Sequence, residues 1–337
     1  MKIEDIKKPI IFCHYGNSPY LYYTLKQVKL SNPKNRIILL GDQDNKKVAN
    51  KAKIEHYCFK DYDESDEIKI FNQVYKHVAG VNHKKEFWTN FVFKRWFYVH
   101  NFIKKNEINA FWHFDSDNMI LSDLNNQEEK FKDYDCTEQC NGICMNGYIS
   151  SFKIVEGYVN KINKLFKDEI YLNEQKQDFI THPDYAFTEM RAYKAYRDQE
   201  GIKSIRLNAI INNESFDDCI CMDHGYERYE SVLNNQYLKK IYFDTNGNFY
   251  CYHIESSKYI KMNTLNLSWV PISLFKLVYK TYKNNIKNPK EVLNKELQLL
   301  DVFQNKTFKA KVLRFIPKSI KSKIKLFIKK YNMALIY

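Results

Sequence analysis

The sequence predicts an α/β protein whose central sheet is largely parallel, and two patterns carry that prediction. Pro9-Ile10-Ile11-Phe12-Cys13 and Arg36-Ile37-Ile38-Leu39-Leu40 are unbroken apolar runs with a helical stretch between them. Continuous apolar runs fit strands buried on both faces, and strand, helix, strand within 42 residues is a βαβ unit. The second pattern is Ala110–Leu121, an apolar run that stops at Asp115-Ser116-Asp117 and then resumes. Read as a strand, it delivers two carboxylates at its C-terminal end, where open α/β sheets hold their ligands.

The remaining elements follow in order. His14-Tyr15-Gly16-Asn17 is a turn, and Ser18-Pro19 opens the first helix, with Ser18 as N-cap, running to about Leu30. Gly41-Asp42 ends the second strand. A helix over about 43–51, a strand over 54–59 and a polar, helical stretch over 61–81 come next. Phe87, Phe91, Trp96 and Phe102 recur at near-helical spacing on a long helix over roughly 85–105, which also carries Lys94 and Arg95. Residues 141–152 read as turn, short strand, turn, strand, with Gly142 and Gly147 letting the backbone pass close to a ligand. Helices over about 154–172 and 184–200 follow, the second carrying Glu189, and then a strand over 202–207. Asn246-Gly247 between aromatic runs predicts a type I′ hairpin over 241–255. It delivers His253, with Lys258 five residues on. Helices over about 271–285 and 289–303 precede a tail broken by Pro317.

Composition bounds the function. The chain has 337 residues, 44% of them hydrophobic and 16% aromatic, enough for a large core. No run is long and apolar enough to span a bilayer, and Met1–Asp5 shows no apolar signal-peptide core. Eight scattered cysteines fit reduced thiols in a cytosolic compartment. The spacing of Cys136, Cys140 and Cys144 matches no usual zinc site. Net charge is +13, and residues 302–337 hold ten Lys or Arg and no Asp or Glu, which leaves +3 for residues 1–301. No Gly-x-Gly-x-x-Gly follows the first strand, which argues against a dinucleotide cofactor.

Asp-x-Asp occurs four times, at Asp42/Asp44, Asp61/Asp63, Asp115/Asp117 and Asp133/Asp135. Only Asp115/Asp117 ends an apolar run. Taken alone, it reads equally as a polar strand end. Side chains two apart on a strand share a side, so these two carboxylates converge while Ser116 turns away. Two adjacent carboxylates invite a hard cation, Mg²⁺ or Mn²⁺.

Together the blocks resemble a bacterial-type glycosyltransferase of the GT-A fold over about residues 8–262. They are the βαβ opening Phe12–Asp42; Arg95-Trp96-Phe97 leading into Phe114-Asp115-Ser116-Asp117, similar to the family's Asp-x-Asp motif; Asn146-Gly147-Tyr148-Ile149 before a helix, followed by Thr188-Glu189-Met190; and His253-Ile254-Glu255-Ser256-Ser257-Lys258, similar to a His-x-x-Gly-x-x-Lys element. Ser256 stands where relatives have Gly, the His-to-Lys spacing is one residue short, and Glu189 replaces an Asp.

The resemblance implies a Rossmann-like mixed sheet flanked by helices, with a GT-A catalytic domain over 1–265, C-terminal helices over 266–303 and a basic tail over 304–337. It also implies transfer of a sugar from a nucleotide-sugar donor, a UDP-sugar by preference, to a glycan or lipid-linked acceptor. Asp115, Asp117 and His253 are then the ligands of Mn²⁺ or Mg²⁺. Tyr15, Gly16, Asp42, Arg95, Ser116, Asn146, Gly147 and Lys258 are the donor-binding residues, and Glu189 orients the sugar or serves as base for the acceptor. In the tail, Ile320, Ile324, Phe327 and Tyr331 recur at helical spacing among lysines, a pattern suited to an anionic membrane surface. The expected location is cytoplasmic, on the inner face of the membrane. The rival readings are a nucleic-acid-binding protein using the tail, a metal-dependent phosphohydrolase with Asp115 as nucleophile, and a sugar-nucleotide-binding protein without activity.

Overall fold

The computed structural model describes residues 7–287 and 297–303, and the chain divides into units Met1–Gln298 and Leu299–Tyr337. The first unit opens with β1 (Ile10–His14), α1 (Leu21–Ser31), β2 (Ile37–Gly41), α2 (Asn45–Ala52), β3 (Glu55–Cys58), α3 (Asp66–Val74) and α4 (Glu86–Lys105). Then come β4 (Phe111–Asp115), β5 (Asn118–Ile120), β6 (Cys136–Gln139), β7 (Cys144–Ile149), α5 (Phe152–Lys167), α6 (Glu169–Thr181) and α7 (Glu189–Glu200). It continues with β8 (Ser204–Arg206), β9 (Glu214–Ser215), β10 (Tyr242–Phe243), β11 (Phe249–His253), β12 (Lys258–Met262), β13 (Thr264–Asn266) and α8 (Ile272–Lys287). In the second unit, the described residues 299–303 make a turn in which the Val302 N–H donates to the Leu300 carbonyl at 3.0 Å.

Seven strands form the main sheet in the order β3-β2-β1-β4-β7-β6-β8. β3, β2, β1 and β4 are parallel, and β7 enters antiparallel between β4 and β6. The sheet is therefore mixed, as the sequence predicts. Alternation along β1 shows how both faces are filled. Ile11 and Cys13 join Ile38 and Leu40 against the large residues of α3, α4, α5 and α7. Ile10 and Phe12 join Ile37, Leu39, Trp112 and Phe114 against Leu21, Leu25 and Val28 of α1 and Ala49 and Ala52 of α2. Helices thus cover both faces, which is why the strands read as continuous apolar runs. β10, β11, β12 and β9 neighbour one another in a second sheet, and β13 pairs with β5. Among the described residues no helix is long and apolar enough to cross a membrane.

Several elements depart from expectation. α1 starts at Leu21 rather than at Ser18-Pro19, because residues 18–20 form a turn closed by Leu21 N–H on the Ser18 carbonyl at 3.1 Å. Of residues 61–81 only Asp66–Val74 is α-helix, capped by Ser65, whose hydroxyl accepts from Ile68 N–H at 3.3 Å. Residues 141–152 hold one strand, β7, with Gly147 inside it. The helix expected over 154–172 is two, because the Asp168 carboxylate accepts from Tyr171 N–H at 3.0 Å and caps α6. Asn246-Gly247 lies in a five-residue loop, with Asp244 Oδ1 accepting from the N–H groups of Asn246 and Asn248, both at 2.9 Å. Within the predicted helix 289–303, Gln298–Leu299 is extended, and residues 288–296 lie outside those described. The tail over 304–337, with Ile320, Ile324, Phe327 and Tyr331, lies outside them too.

Candidate functional site

Strand register builds the site. In the parallel ladder His14 lies opposite Gly41 and Cys13 opposite Asp115. The residues that follow these positions (Tyr15-Gly16, Asp42 and Ser116-Asp117) therefore emerge together at the C-terminal edge of neighbouring strands. Gly16, at φ +80°, turns the chain so that its N–H donates to Asp42 Oδ2 at 2.5 Å. Asn45 locks both loops: its Oδ1 accepts from Asp42 N–H at 2.9 Å, and its Nδ2 donates to the Gly16 carbonyl at 2.8 Å. The resulting shelf carries Tyr15, whose ring is 43% exposed and tilts against Phe87 and Phe91 at 5.2 and 5.0 Å.

Alternation along β4 sorts the next residues. His113 and Asp115 face α4, where His113 packs on Trp96 at 4.8 Å and Asp115 Oδ1 accepts from Arg95 Nη1 at 2.6 Å. Ser116 faces α1: its Oγ shares a 2.8 Å hydrogen bond with His14 Nδ1 and lies 3.3 Å from the Tyr20 hydroxyl. Burial pushes His14 down to about 4, so the imidazole is neutral at physiological pH.

Arg95 is the pivot of the site. Its second nitrogen, Nη2, donates to Glu189 Oε1 at 3.0 Å, so one guanidinium joins the end of β4 to the first turn of α7. Burial opposes the Arg95 charge, but Asp115 and Glu189 outweigh it and the group stays firmly protonated. Burial raises the Glu189 carboxyl, and Arg95 pulls the other way. Glu189 is 6% exposed, and its backbone carbonyl accepts from the Tyr158 hydroxyl at 2.6 Å.

Among the described residues no Lys, Arg or His pairs with Asp117 directly. Oδ2 accepts from the Ser268 hydroxyl at 2.6 Å, and Oδ1 accepts from Asn118 Nδ2 at 3.3 Å. Burial, and then Asp115, push its carboxyl up to about 6. Two carboxylates, Asp115 and Glu189, thus share one guanidinium, and Asp117 feels it only weakly. The pairing of β5 with β13 (Asn118 opposite Asn266) brings Ser268 here, and Leu267 N–H fixes the Asp117 carbonyl at 3.0 Å. Asp115, Asp117, the Ser268 hydroxyl and the Asn266 amide oxygen, which lies 2.7 Å from Ser268 Oγ, are all hard oxygen donors. By donor type these oxygens are of the kind that hold Mg²⁺ or Mn²⁺.

His253 and Lys258 are not brought to these carboxylates. They face each other at the turn end of the β11–β12 hairpin, where Lys258 stands eight residues of chain before Asn266, or roughly 26 Å if extended. The His253 Nδ1 is engaged by Ser256 Oγ at 3.0 Å, and its ring packs on Tyr226 at 5.1 Å. Among the described residues no three His, Cys, Asp or Glu side chains gather as a metal cluster. The expectation that His253 completes a metal shell, with Lys258 on the diphosphate, is therefore not met in this arrangement. The hairpin's own pairing carries both away from β5.

Asn146 and Gly147 also serve the interior. Asn146 Nδ2 donates to Gln139 Oε1 at 2.7 Å, and Gln139 Nε2 reaches Asn118 Oδ1 at 3.1 Å. A Cβ on Gly147 would stand 2.3 Å from Thr137 Oγ1 and 2.7 Å from the Leu207 side chain. Both are buried in the β6–β7 packing. The sequence reading missed Ser268, Asn266, His14 and Tyr20. No local motif marks Ser268, which lies 151 positions from Asp117.

No protein-family model matches the chain, and no curated protein matches it. Among solved structures it is similar to mouse xyloside xylosyltransferase 1, at 9% identity and TM-score 0.44 over 65% of this chain and 90% of that one. It is also similar to a cytidylyltransferase from Leptospira borgpetersenii, at 12% identity and TM-score 0.32 over 60% of this chain and 75% of that one. A third likeness is to the galactosyltransferase LgtC, at 12% identity and TM-score 0.32 over 62% of this chain and 75% of that one. At these identities and TM-scores the likenesses assign neither family nor function to this chain.

Proposed function

We propose that the chain is a glycosyltransferase that moves a sugar from a nucleotide-sugar donor to a hydroxyl of a glycan or lipid-linked acceptor. The observation that carries this reading is Asp117: a carboxylate that no cationic side chain pairs with directly among the described residues, pushed up to about 6, beside Asp115 at the ligand edge of a parallel strand. The resemblance of the Arg95-to-Asp117 and Asn146-to-Glu189 blocks to the family pattern supports it, and points to a UDP-sugar.

In this reading the nucleoside lies on the Tyr15-Gly16-Asp42 shelf and the diphosphate lies by Asp115 and Asp117. Mg²⁺ or Mn²⁺ bound by Asp115 and Asp117, with Ser268 and Asn266 at hand, supplies Lewis-acid compensation for charge on the leaving diphosphate. Ser268 orients the Asp117 carboxylate through its 2.6 Å bond. Arg95 fixes Asp115 and Glu189 relative to each other, so the sugar end and the diphosphate end of the site share one reference. Glu189, its carboxyl raised by burial, orients the sugar or accepts the acceptor's proton. Neutral His14 and Tyr20 hold Ser116.

The test is release of nucleoside diphosphate from a panel of sugar nucleotides with Mn²⁺ present. Asp117→Ala and chelator should each abolish release, and full activity of the Asp117→Ala variant sinks the reading. Peripheral attachment to an anionic membrane through residues 304–337 belongs to the same proposal. Deleting them should move the chain from the membrane to the soluble fraction, and unchanged partition refutes that part.

A further inference from the structure

The three helices α1, α2 and α8 hold nine lysines and no aspartate or glutamate. Residues 1–301 sum to +3, so the remainder of that stretch carries −6. The first unit is therefore strongly polarised, although its total charge is small.

Several of these lysines share one face. On α1 the partly exposed Tyr22, Lys26 and Lys29 recur at the i, i+4, i+7 spacing of one helical stripe. On α8, Ile272, Lys276, Tyr279 and Lys283 do the same. A row of contacts crosses all three helices. Lys51 Nζ lies 4.7 Å from the Tyr22 ring centre, Tyr22 meets Tyr23 at 5.4 Å, Tyr23 meets Tyr279 at 5.9 Å, and Lys283 Nζ lies 5.7 Å from the Tyr279 ring centre. Partial burial, then Lys53 and Lys283, hold the Lys26 ammonium below its ordinary value. Like charges have thus been placed together, and the carboxylate at their edge, Glu55 beside Lys29, is already paired with Arg36 at 2.8 Å.

The face ends at the site. Tyr20, just before α1, touches Ser116 and stacks on Phe275 of α8 at 4.6 Å. Beside the start of α8, Trp269 is 64% and Ile272 41% exposed.

We propose that the α1–α2–α8 face docks the folded body on an anionic lipid bilayer. Lysines with apolar stems and tyrosines with polar tips suit the headgroup zone, and Trp269 and Ile272 offer apolar anchors beside the cleft. Nucleic acid fits less well, because the tyrosine rings are engaged by one another and by lysines, whereas base binding needs open ring faces. The proposal needs neither the tail over 304–337 nor a particular transferred sugar.

The test uses the full chain with phosphatidylcholine vesicles, alone or with a third phosphatidylglycerol. Lys26→Glu, Lys51→Glu, Lys53→Glu and Lys283→Glu are combined in one variant. None of these residues belongs to the proposed catalytic machinery, so nucleoside diphosphate release in solution and the melting temperature serve as folding controls. The variant should lose at least tenfold in affinity for anionic vesicles, with weak binding to pure phosphatidylcholine unchanged. If charge reversal lowers the melting temperature, the same four positions changed to Gln should show the loss in smaller degree. Wild-type affinity in a folded variant overturns the proposal and leaves any vesicle binding to the tail. Tighter binding to a short duplex DNA than to the anionic vesicles, lost in the same variant, overturns it in favour of nucleic acid.

Discussion

The Ser268 hydroxyl donates to Asp117 Oδ2 at 2.6 Å, across 151 positions of sequence. The same hydroxyl lies 2.7 Å from Asn266 Oδ1, so the end of β13 and the residue two beyond it present a small polar hook to the carboxylate just before β5. Ser268→Ala removes a hydrogen bond to a charged group, an interaction of about 1.5–3 kcal/mol. With the fold intact, nucleoside diphosphate release should fall by roughly 10- to 100-fold, and more Mn²⁺ should be needed for half-maximal rate. A rate within twofold of wild type would remove Ser268 from the site.

Asp117→Asn should separate stability from activity. The Asp117 carboxyl is raised from 3.8 to about 6, so the folded state takes up its proton more readily than the unfolded chain. The sign follows: this group's contribution to stability improves as pH falls from about 6 towards 3.8, and the full penalty of the buried charge is present above pH 6. In metal-free buffer at pH 7.5 the neutral amide should therefore raise stability, by on the order of 1 kcal/mol, while turnover is lost. Denaturant titrations at pH 7.5 and at pH 4 check it, since the advantage should shrink at the lower pH.

Arg95→Ala should be among the most damaging single changes. It leaves Asp115 and Glu189 as buried or half-buried carboxylates without a partner, and breaking such a pair costs about 3–5 kcal/mol. Glu189→Gln keeps a hydrogen-bond acceptor for Arg95 Nη2 and should cost under about 1.5 kcal/mol while reducing turnover. Parallel chemical denaturation and activity assays compare the two, and equal losses of stability would remove Arg95 from its bridging role.

Gly147→Ala tests the structural assignment of that residue. Its φ is +93° and the new Cβ would meet Thr137 and Leu207. A loss above about 3 kcal/mol is expected, with the Michaelis constant for donor unchanged in whatever fraction folds. A raised Michaelis constant with unchanged stability would return Gly147 to the donor site.

Much of this was legible in the sequence because it is local. The runs Ile10–Cys13 and Ile37–Leu40 specify buried parallel strands, and the stop of an apolar run at Asp115 marks the C-terminal end of β4. At the end of β4, Asp115 and Ser116 meet opposite neighbours, Arg95 for the first and His14 for the second. What failed is long-range. A histidine ending an aromatic strand looks the same whichever sheet that strand joins, so nothing near His253 says that its hairpin stands apart from β5. Ser268 carries no motif, and only the β5–β13 ladder makes it a neighbour of Asp117. Some local signals were outweighed too. The helical run over 154–172 continues past Asp168, yet its carboxylate prefers to start a new helix. At Asn246-Gly247, the Asp244 side chain organises a wider loop than the pair alone specifies.

Trp96 is fully enclosed, 1% exposed, next to the arginine that grips both ends of the cleft. Its ring meets His113 of β4 at 4.8 Å and Tyr158 of α5 at 5.3 Å, and Tyr158 in turn holds the backbone of Glu189. One indole therefore sets the spacing between the strand that carries the carboxylates and the helix that carries the glutamate. The geometry of the carboxylates is set from behind: a smaller ring at position 96 loosens the strand carrying Asp115 from the helix carrying Glu189, although it touches neither carboxylate.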